Sequence, residues 1–399
     1  MPLDLTRLAQ PADTKIVLVV VDGLGGCGSG RRGTELEEAA TPNLDRLAEE
    51  GVVGLLEPVG AGITPGSGPG HFALFGYDPS EFEVGRGALS AAGLEVRLHP
   101  GDVAARGNLA TLDGEGRVVD RRAGRISDSD AEEVVKLLAD RLRVEEVEIT
   151  LVHEAQHRVL LVLRGAGLDA RVSDTDPQAT GVPPRPPLAL TPQADRTAAV
   201  VAEIGDQVRH VLADHPRANC ILLRGFAAEC QLPSLHLRHG ITPGAVAVYP
   251  MYRGIARLVG MEVLGTPRDL NAQVELVRRN WSSFDFYFVH HKPADSAGED
   301  GDFDAKVAAI EELDTVVPQL VELGADVLAV TGDHATPSHM AAHSWHPVPV
   351  VVRAERAGRD DVGRFGERWC RAGLLGRRPS QDLMAILLAS AGRLAKYGA

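Results

Sequence analysis

The chain has 399 residues, 44% of them hydrophobic and 24% charged, with a formal net charge of −14. Single cores rarely grow past about 250–300 residues, so this length asks for two domains. The acidic balance excludes a nucleic-acid partner held by a general basic surface, and an anionic substrate must be drawn in by metal ions or a few arginines.

Lys15-IVLVVVDG is a short β-branched run ending in a carboxylate and a glycine, which predicts a buried central strand with Asp22 at its C-terminal end. A glycine-rich loop, Gly23 to Gly33, follows. Thr41-PNLDRLAEEG then predicts a helix, with Thr41 as N-cap, Pro42 at the first helical position and Gly51 as the stop. From about Leu94 to Pro187, short β-like runs (Val147–Val152, Arg158–Leu163) alternate with turns and end in the proline cluster Val182-PPRPPL. That texture predicts a smaller inserted α+β domain over 93–189, with the proline cluster as exit linker, and a discontinuous core over 1–92 and 190–399.

Further strand signals stand at Cys220-ILLRG, Phe284-DFYFVH, Asp326-VLAVTGD and Pro347-VPVVV. Amphipathic helical stretches lie at Ala194–Leu212, Asp304–Leu323 and Gln381–Ala389. Short apolar strands alternating with helices predict an α/β core on a mostly parallel sheet. Cys27, Cys220, Cys230 and Cys370 form no CxxC pair, which fits reduced thiols. MPLDLTRLAQ lacks the apolar segment of a signal peptide, and the longest apolar runs, Ile16–Val21 and Leu383–Ala389, are too short to span a bilayer. The expectation is a soluble, cytoplasmic protein with no membrane partner and an open oligomeric state.

The residues suited to chemistry cluster at predicted strand ends and the loops after them, where open α/β sheets bind ligands. Asp22 closes the first strand. Asp333 and His334 lie in VLAVTGDHATP, His343 in AAHSWHPVPV, and Asp295 and Glu299 in HHKPADSAGEDGD. A lone acid at a strand end is usually a turn residue; their recurrence at several strand ends is what points to ligands. With Ser67 as a further donor, the set is oxygen-rich and contains histidine, which suits Mn²⁺, Mg²⁺ or Zn²⁺. It is too large for one ion and right for two. Two metals about 3.5–4 Å apart can clamp a transferring phosphoryl group. Ser67, in Thr64-PGSGPGH, is the candidate nucleophile, and a helix starting near Pro69 would add an anion site. Gly23-LGGCG matches a dinucleotide fingerprint, but SGRRGTELEEAATP does not continue into a helix, so no nucleotide cofactor is expected.

The order VVDG, TPNLDRLAEEG, a serine loop, an acidic D…G-x-D-G stretch, TGDH and H-x-x-x-P-V-P resembles the alkaline phosphatase superfamily. Within it, PGSGPGHFALFGYDP (65–79), VGRGALSAAG (84–93), DRRAGRI (120–126), SDTDPQATG (173–181) and YPMYRGIARLVGM (249–261) resemble the archaeal-type 2,3-bisphosphoglycerate-independent phosphoglycerate mutases, which also occur in bacteria. The resemblance covers nearly the whole chain. It implies an alkaline-phosphatase-like core whose mostly parallel sheet is sandwiched by helices, plus the inserted domain. It also implies interconversion of 3-phosphoglycerate and 2-phosphoglycerate, a step of glycolysis and gluconeogenesis, through a phosphoserine.

By the same resemblance, Asp22, Ser67, Asp333 and His334 hold one metal, and Asp295, Glu299 and His343 the other. Glu299 departs from the expected D-x-A-G-H-D-G, where histidine stands; carboxylate for imidazole favours Mn²⁺ or Mg²⁺ over Zn²⁺, and Asp300 or His346 are alternative ligands. The inserted segment would bind substrate. Arg121, Arg122, Arg125 and Arg158 are candidates for its carboxylate and phosphate, and His157, Asp174 and Asp176 for the glycerate hydroxyls. A phosphatase, phosphodiesterase or other phosphomutase on the same core stays open at this point, as does a catalytically weak metal-binding protein.

Overall fold

In the computed structural model, which describes residues 5–30, 32–82 and 84–398, the apolar run after Lys15 forms β1 (Ile16–Val21), buried at every position. The first four residues of MPLDLTRLAQ lie outside the described ones. The chain divides into two units, Met1–Glu83 with Leu232–Ala399, and Val84–Gln231.

After β1, the first unit continues through the helix Pro42–Glu50 to β2 (Val52–Glu57). Pro42 opens that helix as expected, but Thr41, with ψ at 58° instead of the extended value a cap needs, makes no side-chain cap. Asp314 supplies it: its carboxylate accepts from the backbone N–H of Asn43 (3.1 Å) and Leu44 (2.8 Å).

The second unit holds β3 (Val103–Leu112), β4 (Val118–Asp120), β5 (Glu148–Ala155), β6 (Arg158–Arg164) and β7 (Cys220–Ala227) in one antiparallel sheet, with β6 and β7 flanking β3. The helices Asp128–Arg141 and Asp195–Val211 cover one face through Val134, Leu138, Val201 and Ile204. The helix Arg86–Gly93 packs Ala88 and Ala91 against the other. The expected insert of 93–189 lies inside this unit, which starts earlier, at Val84, and runs on to Gln231. The extension has a plain cause. β7 carries the same kind of apolar run as a core strand but hydrogen-bonds to β3, and the helix before it covers the same sheet.

The chain then returns with β8 (Pro243–Val246), β9 (Glu262–Val263), β10 (Phe286–His291), β11 (Val327–Thr331), β12 (Val348–Ala354) and β13 (Gly376–Pro379). The sheet runs β13-β2-β12-β11-β1-β10-β8-β9, and only the pairings of β12 with β11 and β2 are antiparallel. β1, β10 and β11 are buried on both faces, so helices cover the sheet on both sides as the expected α/β core requires. Their C-terminal ends stand side by side, and the start of β12 joins them in register with the end of β2. Among the described residues no helix is long and apolar enough to cross a membrane, and the four cysteines are unpaired.

Candidate functional site

Four carboxylates, four histidines, a lysine and a serine converge at that edge of the first unit. Asp22 leaves β1, His290 and Lys292 stand at the end of β10, and Asp333 and His334 follow β11. Ser67 is the first residue of the helix Ser67–Leu74, whose N-cap Gly66 offers no side chain. Asp295 and Glu299 lie on the helix Pro293–Glu299. Tight loops make this convergence possible. Gly23 has φ 67°, and a Cβ there would lie 2.7 Å from Thr336 Oγ1 and 2.8 Å from Asp295 Cα.

Two groups have the spacing of metal ligands, with donor atoms within 4.8 Å of one another: Asp22, Asp333 and His334, and Asp295, His334 and His343. His334 is common to both. Its Nε2 is 3.3 Å from Asp22 Oδ1, 3.2 Å from Asp333 Oδ2 and 3.2 Å from Ser67 Oγ, so it faces the first group. The His343 ring stacks on the His334 ring at 3.7 Å. His343 Nδ1–H donates to Pro65 O (3.0 Å), which turns Nε2 toward Asp295 Oδ1 and Glu299 Oε1, each 3.5 Å away. Glu299 sits at the exposed rim, outside the tight group. Of the alternatives, His346 bonds Ser344 Oγ through Nδ1 and stacks on Trp345, and neither it nor Asp300 enters a group.

Electrostatics agree with a place for cations. Both oxygens of Asp22 and Oδ2 of Asp333 are buried and make no well-aligned hydrogen bond, with Lys292, His290, His334 and His71 only as ion-pair neighbours at 3.2–3.4 Å, an arrangement that further cations would complete. Burial raises Asp295 and the Asp22 charge adds to it, against Lys292. Burial opposes the charged form of Asp22 too, yet Lys292 and His290 hold it well below the usual carboxylate range. Burial likewise opposes a charged His343, but the Glu299 and Asp295 carboxylates push it up to about 9. The residues present fit a pair of hard divalent ions.

Three neighbours escaped the sequence reading. Lys292 lies 3.4 Å from Asp22 Oδ2 and contacts Asp295 Oδ2. His71 Nδ1 is 2.8 Å from Ser67 O and 3.2 Å from Asp333 Oδ2. His290 Nε2 stands 3.3 Å from Asp22 Oδ2 while its ring stacks on Tyr252 at 3.6 Å. The signals were there, in HHKPAD after a strand and in PGSGPGH.

The second unit carries its own charged cluster. Arg121 grips the fully buried Asp176 with two bonds of 2.9 and 2.7 Å, and Arg224 stands 3.9 Å from the same carboxylate. His157 is 4% exposed and its Nδ1 has no partner. Burial pushes it down to about 4, helped by the charges of Arg158, Arg122, Arg106 and Arg224. Asp174 accepts from Gly225 N–H (2.8 Å). Arg122 and Arg125 are exposed in the turn after β4. Arg86, Arg106 and Arg224 belong to this cluster by their charge interactions and were not picked out by sequence, because at a helix start (Arg86) or within strands (Arg106, Arg224) they look like ordinary surface positions.

The model of the family described as 2,3-bisphosphoglycerate-independent phosphoglycerate mutase matches residues 48–218. A Thermus thermophilus protein named a probable mutase of this kind is 50% identical over 99% of this chain and 98% of its own length. A Deinococcus radiodurans protein of the same name is 48% identical over 100% and 99%. The solved cofactor-independent phosphoglycerate mutase of Thermoplasma acidophilum superposes with a TM-score of 0.69 at 32% identity, covering 95% of this chain and all of that one (100%). Sequence, fold and relatives converge, and the chain belongs to the 2,3-bisphosphoglycerate-independent phosphoglycerate mutase family.

Proposed function

We propose that the protein interconverts 3-phosphoglycerate and 2-phosphoglycerate through a phosphoserine on Ser67, at a site holding two divalent ions. The observation that carries this reading is Ser67 Oγ 3.2 Å from His334 Nε2, at the edge of two ligand groups sharing that histidine. Asp22, Asp333 and His334, with Ser67, would hold one ion; Asp295, His343 and Glu299 the other. Bound there, the ions would lower the pKa of the serine hydroxyl and neutralise charge on the phosphoryl oxygens. Glu299 makes the second set anionic and hard, which favours Mn²⁺ or Mg²⁺.

Ser67 Oγ attacks the phosphorus of 3-phosphoglycerate in line, and the bond from phosphorus to the 3-oxygen breaks. Glycerate leaves with that electron pair and takes up the proton that the Ser67 hydroxyl gives up on attack. Its 2-hydroxyl then attacks the phosphoserine, losing its proton to a carboxylate, and Ser67 recovers its hydroxyl. Lys292 supplies a fixed positive charge beside Asp22 and Asp295 throughout. The arginines around His157 suit the substrate carboxylate, since the guanidinium fork matches it with two bonds. His157, held neutral, can hydrogen-bond a glycerate hydroxyl without adding charge. Asp176 is committed to Arg121, whereas Asp174 accepts from Gly225 N–H and is the freer of the two carboxylates to act as base.

Metal-stripped protein, assayed with and without Mn²⁺ in the absence of 2,3-bisphosphoglycerate, tests the reading. Metal-dependent isomerisation with little free phosphate is expected. Phosphate release without isomerisation would make the protein a hydrolase, and silence with every divalent ion would leave a metal-binding protein.

A further inference from the structure

Thr336 is a buried residue to which the reaction above gives no task. Its hydroxyl is 2.7 Å from Asp295 Oδ1 and 3.0 Å from His334 Nδ1, so one side chain touches a member of each ligand set. The proton count fixes the directions. An ionised carboxylate only accepts, so the Thr336 hydroxyl donates to Asp295 and its oxygen accepts from His334 Nδ1–H. The His334 Nε2 lone pair is thereby left facing Asp22, Asp333 and Ser67.

The place of Thr336 is itself fixed from behind. Its carbonyl accepts from Lys306 Nζ (2.7 Å), and its N–H donates to Gly25 O (3.0 Å), which also accepts from Lys306 Nζ (3.1 Å). Lys306 is 0% exposed and pairs with Glu35 Oε2 at 3.5 Å. Glu35 Oε1 in turn accepts from Ser338 N–H (2.8 Å) and Ser338 Oγ–H (2.6 Å). The pair thus binds the loop after β1 to both sides of Thr336 in the loop after β11. Gly298 lets the helix of Asp295 come close: a Cβ there would lie 2.5 Å from Thr336 O. A buried ion pair is a poor device for stability alone, and the register of two loops is a task that suits it.

We propose that Thr336 is a positioning residue joining the two metal-holding sets, and that the Lys306–Glu35 pair sets where it stands. The proposal rests on the two-metal reading above, and it concerns ligand orientation, which a threonine serving only as packing would not affect.

Calorimetric titration of the metal-free full chain with Mn²⁺, and electron paramagnetic resonance of the loaded chain, separate the cases. Thr336→Val keeps the shape and the carbonyl but removes the hydroxyl; it should weaken Mn²⁺ binding roughly 10–100-fold and change the spectrum. Thr336→Ser should restore both toward wild type. The double variant Lys306→Met with Glu35→Met should weaken binding in the same direction. Wild-type affinity and spectrum in Thr336→Val would overturn the proposal, as would Thr336→Ser failing as badly as valine. Wild-type affinity in the double variant would remove the role given to the ion pair. Wild-type protein taking up no Mn²⁺ would bring down the two-metal reading, and this proposal with it.

Discussion

Arg106 on β3 and Arg224 on β7 are register partners across an antiparallel ladder, two like charges facing each other. Such a pair is unfavourable in a bare sheet. Burial lowers Arg224 to about 10, with Arg86 and Arg106 adding to the effect. Glu154 at 3.6 Å from Arg106 and Asp176 at 3.9 Å from Arg224 offset part of that repulsion, and a bound substrate anion would complete it. Arg224→Met should therefore raise KM for 3-phosphoglycerate by about tenfold or more, the loss of a charge-assisted hydrogen bond. The melting temperature of the ligand-free protein should not fall. Steady-state kinetics and a thermal melt check both; an unchanged KM would refute the assignment.

Ser67→Ala should cut turnover by roughly three orders of magnitude or more while Mn²⁺ binding persists. Labelled substrate followed by acid quench should leave phosphoserine in the wild type and none in the variant.

Glu299→His should move metal preference toward Zn²⁺, because imidazole replaces a hard carboxylate at 3.5 Å from His343 Nε2. Competition between Zn²⁺ and Mn²⁺, read by metal analysis after dialysis, gives the shift directly.

Burial pushes the Glu367 carboxyl up to about 7, against hydrogen bonds from Thr34 Oγ (2.6 Å) and Gly26 N–H (2.9 Å). An unfolded glutamate titrates near about 4.3, so between these values the folded chain keeps a proton that the unfolded chain has lost. The stabilisation is full below the lower value and is lost as pH rises through the upper one. Glu367→Gln mimics the protonated form, and it should raise the melting temperature more at pH ~8 than at pH ~5. Equal effects at both pH values would show that the carboxyl is not held protonated.

Asp314→Ala removes the cap of the helix Pro42–Glu50 and should cost about 1–2 kcal/mol in denaturant unfolding. Thr41→Ala should cost much less, since Thr41 makes no cap bond.

The strands and acidic strand ends of the first unit were legible because buried β-branched runs ending in Asp22 or Asp333 carry a local signal. What escaped depended on distant partners. Asp314 caps a helix far earlier in the chain, β7 reads as a core strand until its partner β3 is known, and Lys306 meets Glu35 only in the folded chain. Thr336 is invisible for a related reason: a threonine two residues after His334 looks like a turn residue until its hydroxyl is seen on Asp295. The candidate ligands announced themselves by type and order, whereas the residues proposed to orient them are ordinary by composition.

The split of the first unit has a consequence during synthesis. Ile16 pairs with Phe286 on one side and Val327 on the other. At roughly 5–20 residues per second on the ribosome, β1 emerges tens of seconds before either neighbour exists. Meanwhile Val84–Gln231 is contiguous and can fold while the apolar strand ahead of it is still unpaired and in need of shielding. His343 comes later still, so under the two-metal reading the candidate ligand groups cannot be complete until that residue too has been made.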